Sequence, residues 1–267
     1  MEIRLENIKY RDLFDNLNVQ IKSNEIMGVI GKNGSGKTSI LNLIYGLDQN
    51  FDGEIKIGKN AINKDSKRKG ILKVRNNITY LKQNYDDTLF SANVFDAIKY
   101  GSSKSDVNKL KYLIKLFNLS DDILDKNLLN LSNSELKKIL IIKVFIQEKS
   151  IILLDDITNG LDSKDKEALI KLLKQERRNN KSIVVTSIDS EFLLQVVDRI
   201  LILDGNKAKI IDDKYRVFTD MALLNRLNVA VPQILNFKLI AQSKNIKLAH
   251  KDNVNDLIKD IYRNVRR

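Results

Sequence analysis

The run Gly31-Lys32-Asn33-Gly34-Ser35-Gly36-Lys37-Thr38 constrains this chain more than any other stretch, because it satisfies the pattern G-x-x-x-x-G-K-[ST] at every fixed position. Glycines at 31, 34 and 36 allow backbone conformations closed to side chains, so that successive N–H groups turn inward towards phosphate oxygens. A helix beginning behind the loop adds the partial positive charge of its N-terminus. Lys37 is then placed on the β- and γ-phosphates of a nucleotide and the Thr38 hydroxyl on Mg²⁺. The nucleotide-binding set read from this stretch is Gly31, Asn33, Gly34, Ser35, Gly36, Lys37, Thr38 and Ser39. A Gly-rich turn of the same spelling is the alternative, and the flanks argue against it. Ile26 to Ile30 reads as a buried strand, Ser39 to Tyr45 as a helix, and Gly46 is placed to end that helix.

A second signal lies at Ile151-Ile152-Leu153-Leu154-Asp155-Asp156, four apolar residues of a central strand ending in two carboxylates. Behind a P-loop, the first carboxylate (Asp155) holds Mg²⁺ through water and the second (Asp156) polarises the attacking water. A plain buried strand followed by an acidic turn would be spelled similarly.

In order along the chain, Glu2 to Ile8 and Phe14 to Ile21 alternate apolar and polar residues as two antiparallel strands do. Tyr10 stands between them, as either an adenine-stacking ring or an ordinary strand-end aromatic. Phe51-Asp52-Gly53 reads as a turn before a short strand, and the basic run from Lys59 to Asn77 as a surface loop. Ile78 to Leu81 is a short strand leading to Gln83. From Val94 to Lys149 apolar residues recur at helical spacing, a mainly helical insertion in which Ser132 or Asn133 caps the last helix. Alternating strands and helices from Ile151 to Leu203 imply a parallel sheet, with ligands at the carboxyl ends of its strands. Beyond Asp212 the alternation stops. Three short helical pieces follow, around Met221 to Leu227, Ile234 to Gln242 and Val254 to Val265, with the single proline, Pro232, opening the second.

At 267 residues the chain can bury roughly three quarters of its unfolded surface without staples. It has no cysteine and one histidine, His250, which excludes thiol chemistry and a His or Cys metal cluster. No apolar run approaches the ~18 residues that would span a bilayer. The net charge of +12 comes from lysine spread over the whole chain; the densest cluster, Lys64 to Arg75, carries no aromatics for base stacking, so nucleic acid is not expected as a partner.

Together these stretches resemble the nucleotide-binding subunit of an ABC transporter, over nearly all of the first 212 residues. The resemblance implies an α/β fold: a P-loop NTPase of ABC type with a mainly parallel sheet, an antiparallel β subdomain and a helical subdomain at about 88–149. Residues 213–267 read as a small C-terminal helical unit, whose apolar positions pack either on its own chain or on a partner. It puts Gln83 at the metal and in the catalytic set with Lys37 and Asp156. The run Gln83-Asn84-Tyr85-Asp86-Asp87-Thr88-Leu89-Phe90 is similar to the Q-N-P-D-[DN]-Q-[IL]-F run of the ATPase subunits of energy-coupling-factor (ECF) importers. The tail around Leu223 to Leu227 and Val231-Pro232-Gln233 is similar to theirs as well. Such importers join two ATPases, a membrane scaffold protein and a substrate-binding membrane protein at the cytoplasmic face of the membrane, and take up vitamins or transition-metal ions.

The departures from the family pattern cluster where chemistry happens. The signature L-S-G-G-Q, which closes over the γ-phosphate of the opposite subunit, is Leu131-Ser132-Asn133-Ser134-Glu135 here, with Ser132 as the surviving contact. Asp156 replaces a glutamate one methylene longer. Ile188 stands where a histidine would donate to the γ-phosphate, and the segment around Tyr10 is shortened. These changes imply a chain that binds MgATP but hydrolyses it slowly at its own P-loop, as one half of a heterodimer. The other readings are a nucleotide-binding scaffold without turnover and a P-loop ATPase acting on nucleic acid.

Overall fold

A computed structural model of the chain describes residues 1–83, 93–99, 107–205, 207–243 and 254–265. Residues 84–90, which carry the ECF-like run after Gln83, lie outside the described residues. Two sheets organise the rest. The first is antiparallel: β1 (Ile3–Tyr10) pairs with β2 (Phe14–Ile21) and β4 (Asp52–Ile57), and β4 with β5 (Asn60–Ile62). The alternation read from the sequence reappears as alternating burial along β1 and β2.

Gly53 is not in a turn but inside β4, at an irregularity where the register with β1 shifts between Glu6 and Lys9. Its φ is +100°, and a Cβ there would meet the carbonyl oxygens of Asn7 and Glu6 at 2.5 Å. A bulge that brings two backbones this close admits only glycine.

The second sheet runs in the order β10-β9-β3-β8-β7-β6. Its parallel strands are β3 (Ile26–Gly31), β6 (Ile78–Leu81), β7 (Ile151–Leu154), β8 (Ser182–Thr186) and β9 (Arg199–Asp204). An antiparallel edge strand, β10 (Lys207–Ile211), was not legible in the sequence; its burial is too shallow to leave an apolar run. Strands β3, β7 and β8 are buried along their whole length, as sheets covered on both faces require. The pleat divides their side chains between two apolar clusters. Met27 and Val29 of β3 pack with the antiparallel sheet and α1 (Lys37–Tyr45), whereas Ile26 and Ile30 pack with the helical side.

That helical side holds α3 (Val94–Lys99), α4 (Val107–Leu116), α5 (Asn133–Ile146), α6 (Ser163–Arg178) and α7 (Ser190–Val196). Ser132 is the N-cap of α5. Its hydroxyl accepts from the Glu135 N–H, and the Glu135 carboxylate accepts in turn from the Ser132 N–H at 2.9 Å, which closes a capping box.

One further expectation changes, and one question that the sequence left open, what the tail packs on, is answered. The stretch from Lys59 to Asn77 is not a loop but β5 and a helix, α2 (Arg68–Arg75), whose Ile71 and Val74 are buried. Three apolar residues in eight, of which Leu72 is exposed, among many lysines and arginines, were too weak a period to read. The tail consists of α8 (Lys214–Thr219), α9 (Met221–Leu227), α10 (Gln233–Ser243) and α11 (Val254–Val265). Val217, Phe218, Leu224, Leu227 and Leu235 belong to the same buried cluster as Phe192 and Leu193 of α7, so the tail packs on its own chain.

Candidate active site

The loop between β3 and α1 ends in two left-handed glycines, Gly34 at φ +80° and Gly36 at φ +98°. Gly36 is the N-cap of α1, and no side chain caps that helix, nor does an acidic residue occupy its first turn. The first N–H groups of α1 are therefore available to an anion. A Cβ at Gly31 would sit 2.4 Å from Ser35 Oγ and 2.5 Å from the Leu203 carbonyl oxygen, so close approach of β9 fixes this glycine. Ser35 Oγ itself is buried without a hydrogen-bond partner, and a buried hydroxyl left unpaired is one that a ligand can satisfy.

Lys37 Nζ donates to the carbonyls of Gly31 (2.7 Å) and Lys32 (2.8 Å). Burial pushes its pKa down, while the charges of Asp155 and Asp156 pull it back up. Thr38 Oγ1 donates to Asp155 Oδ2 at 2.7 Å, which brings the last residue of the P-loop to the end of β7. The other end of α1 is held by α2, the helix that the sequence hid: Arg75 donates to the carbonyls of Tyr45 (3.1 Å) and Gly46 (2.8 Å), a cation at a helix C-terminus.

Thr186 is the residue that sequence reasoning passed over. It ends β8 beside β7, and its Oγ1 donates to Asp155 Oδ1 at 2.7 Å and accepts from the Asp156 N–H at 2.8 Å. One hydroxyl thus sets both carboxylate residues. The signal for it was a threonine closing the apolar run Ile183 to Val185. Asp156 has φ +46°, a left-handed conformation that aspartate tolerates better than most side chains.

A cavity of about 410 Å³ gathers Asn33, Gly34, Gly36, Lys37, Thr38, Ser39, Gln83, Asp155, Asp156, Thr186, Ser187 and Ile188. The structure therefore brings together most of the residues singled out from the sequence. Ile188 is 62% exposed on this cavity and supplies no donor. Ser132 is not among the lining residues. A larger cavity, about 740 Å³, runs beneath β10 and is lined by Asp15, Asp204, Lys209, Arg216 and Arg226, among others; it shares no residue with the P-loop cavity and none of its phosphate-facing backbone.

Of the two readings of Tyr10, adenine-stacking ring or ordinary strand-end aromatic, its surroundings fit the second. The ring is 4% exposed inside β1, its hydroxyl donates to Asp48 at 2.7 Å, and the Arg11 guanidinium covers it 4.7 Å from the centroid. Burial, reinforced by the Asp48 carboxylate, pushes the Tyr10 pKa up to about 12. The hairpin residues nearest the P-loop are instead Phe14 and Leu13, which would lie 2.7 Å and 3.6 Å from a Cβ on Gly36.

A phosphate-binding loop, an uncapped helix N-terminus and a strand-end carboxylate on a parallel sheet define a nucleotide-binding P-loop ATPase. The ABC transporter family model matches residues 14–159, and the chain belongs to that family, as one of its ATP-binding ATPases. It is 28% identical to the energy-coupling factor transporter ATP-binding protein EcfA2 of Streptococcus thermophilus, over 91% of this chain and 92% of that protein. It is likewise 28% identical to EcfA2 of Acetivibrio thermocellus, over 82% and 79%. Among solved structures it is similar in fold to cbiO1 of Clostridium perfringens, described as part of the ABC transporter complex cbiONQ. There the TM-score is 0.70 at 22% identity, over 91% of this chain and 98% of that one. It also resembles the ATP-binding cassette MJ0796 bound to ADP and Pi, with a TM-score of 0.67 at 23% identity, over 78% and 97%.

Proposed function

We propose that this chain is an ATP-binding subunit of an ECF-type importer, which binds MgATP at its P-loop and hydrolyses it slowly there. The observation that carries the reading is the 2.7 Å bond from Thr38 to Asp155 inside the P-loop cavity, a pairing of hydroxyl and carboxylate on which a magnesium nucleotide can be held. Thr38 would ligate Mg²⁺ directly and Asp155 through water, an arrangement suited to an ion that keeps much of its hydration. The fit rests on the uncapped start of α1 and on the oxygen donors of Thr38 and Asp155 that meet in the cavity. When bound, the ion neutralises charge on the β- and γ-phosphates.

The chain's own groups divide the remaining work. Backbone N–H groups of Gly34 to Thr38 and the Lys37 ammonium bind the phosphates. Asp156 and Gln83 orient the attacking water. Asp156 is one methylene shorter than the family's glutamate and Ile188 offers no hydrogen bond, so both transition-state contacts are weakened, where a displaced group costs on the order of 10²-fold.

The partner is a second ATPase subunit, more fittingly a different chain than a second copy, across from which Ser132 faces the better site. Two membrane proteins, a scaffold and a substrate binder, complete the assembly on the cytoplasmic face, to import a vitamin or a transition-metal ion. Among the described residues no helix is long and apolar enough to cross a membrane. The test is MgATP hydrolysis by this chain alone and after mixing with the companion ATPase of the same genome. Activity that appears in the mixture and survives Asp156→Ala supports one working site completed by this chain. Robust activity alone that is lost in Asp156→Ala refutes slow turnover, and nucleotide affinity unchanged in Lys37→Ala refutes the site.

A further inference from the structure

Lys137 has no role in the site as described so far. It lies on α5, five residues beyond Ser132, and is only 4% exposed. An ammonium is not buried without compensation. Its neighbour Lys138 has an ordinary structural partner in the buried Asp165, at 2.8 Å. Lys137 instead reaches the nucleotide side, where its Nζ donates to the main-chain carbonyl of Asp156 at 3.4 Å. Burial pushes its pKa down, and the charges of Asp156 and Asp155 act in the opposite direction.

Asp156 needs such support. Its left-handed backbone, φ +46°, is a conformation that persists only when the surroundings impose it. Its N–H is held by Thr186 of β8 and its carbonyl by Lys137 of α5, so two different elements fix the residue from its two sides. A cavity of about 320 Å³, lined by Gln83, Asn133, Lys137, Asp156, Asn159 and Gly160, adjoins the P-loop cavity and shares Gln83 and Asp156 with it. The ammonium therefore stands behind the residue that has to aim a carboxylate at water.

We propose that Lys137 is a positioning residue for hydrolysis at this chain's own P-loop, acting through the Asp156 carbonyl to hold the backbone that directs the Asp156 carboxylate into the P-loop cavity. The inference rests on the reading of Asp156 as the water-orienting carboxylate. It also ties the placement of Asp156 to α5, the helix whose N-cap is Ser132, so that movement of this helix is felt at the hydrolytic residue.

The test is single-turnover hydrolysis of radiolabelled MgATP with the protein in excess, so that a slow site is still read, with nucleotide affinity measured separately by a fluorescent analogue. Lys137→Met is expected to lower the rate constant on the order of 10-fold to 100-fold, with affinity and melting temperature close to wild type. Lys137→Ala opens room beside the adjoining cavity, and added ethylammonium is expected to restore part of its rate but none of that of Lys137→Met. A wild-type rate in Lys137→Met overturns the proposal. So does a rate loss matched by an equal loss of affinity or of folding, or a Lys137→Ala deficit that ethylammonium leaves untouched. A wild-type protein that binds MgATP yet never hydrolyses it also overturns it, whereas one that binds no nucleotide refutes the reading of the site itself.

Discussion

Replacing Thr186 by valine keeps the shape of the side chain and removes one hydroxyl, which isolates the contribution of the bond pair at the ends of β7 and β8. Thr186 is 1% exposed, and its Oγ1 makes bonds of 2.7 Å to Asp155 and 2.8 Å from the Asp156 N–H. Loss of a hydrogen bond to a carboxylate costs about 1.5–3 kcal/mol, and an N–H left unpaired about 1–3 kcal/mol. Asp155 keeps Thr38 as a donor, so partial relaxation should bring the sum to about 2–4 kcal/mol. At about 2–4 °C per kcal/mol for a chain of this size, the melting temperature should fall by roughly 5–15 °C. Thermal unfolding followed by circular dichroism reads the shift, and Thr186→Ser, which retains the hydroxyl, should lie much nearer wild type. If Thr186→Val melts within about 1 °C of wild type, Thr186 is not what sets the two carboxylate residues, and the reasoning fails.

Other substitutions separate binding from stability. Gly31→Ala forces a methyl group against Ser35 Oγ and the Leu203 carbonyl, at 2.4 and 2.5 Å, so MgATP affinity by calorimetry should drop about 10-fold or more as the loop shifts; an unchanged affinity would show that this glycine is dispensable. Tyr10→Phe removes the bond to Asp48 and should cost about 1–2 kcal/mol in denaturant unfolding, with MgATP affinity unaltered; a parallel loss of affinity would restore the ring to the nucleotide site. Because the Tyr10 pKa is raised from 10.0 to about 12, its neutral form stabilises the fold below pH 10 and that contribution is lost as pH rises towards 12, so the variant should lack this alkaline component of unfolding. The pKa of Glu135 is lowered, first by the Ser132 N–H and then by the Ser132 hydroxyl, so its contribution is present above pH 4.5 and is lost as pH falls below it. Glu135→Gln should therefore be less stable than wild type at neutral pH, and the two unfolding curves should converge in acid.

Glu135 also shows how a sequence can be read correctly and incompletely at once. In the sequence it stands where the signature has its glutamine. In the structure its carboxylate accepts from both the N–H and the hydroxyl of Ser132, so the residue that departs from the signature secures the start of α5. The P-loop was fully legible because it is local: spacing alone places its glycines, lysine and threonine, and the strand and helix on either side follow from uninterrupted apolar runs. Asp155 and Asp156 were legible for the same reason. Helix α2 and strand β10 were not, since each buries too few side chains to leave a period.

What the sequence determined by itself was therefore what lies within a few residues of chain: a phosphate loop between strand and helix, a strand ending in two carboxylates, and a helix capped at Ser132 or Asn133. Tertiary structure decided whatever depends on elements far apart in sequence meeting at one end of the sheet. It joined Thr38 to Asp155 across 117 residues and placed Thr186 on both carboxylate residues. It brought Lys137 behind Asp156, put Tyr10 in the core rather than beside the nucleotide, and packed the C-terminal helices on their own chain. The physical reason is that spacing specifies conformation one turn or one strand at a time, whereas a hydrogen bond or a buried face also requires a partner, and the order of strands in the sheet determines which partner is near.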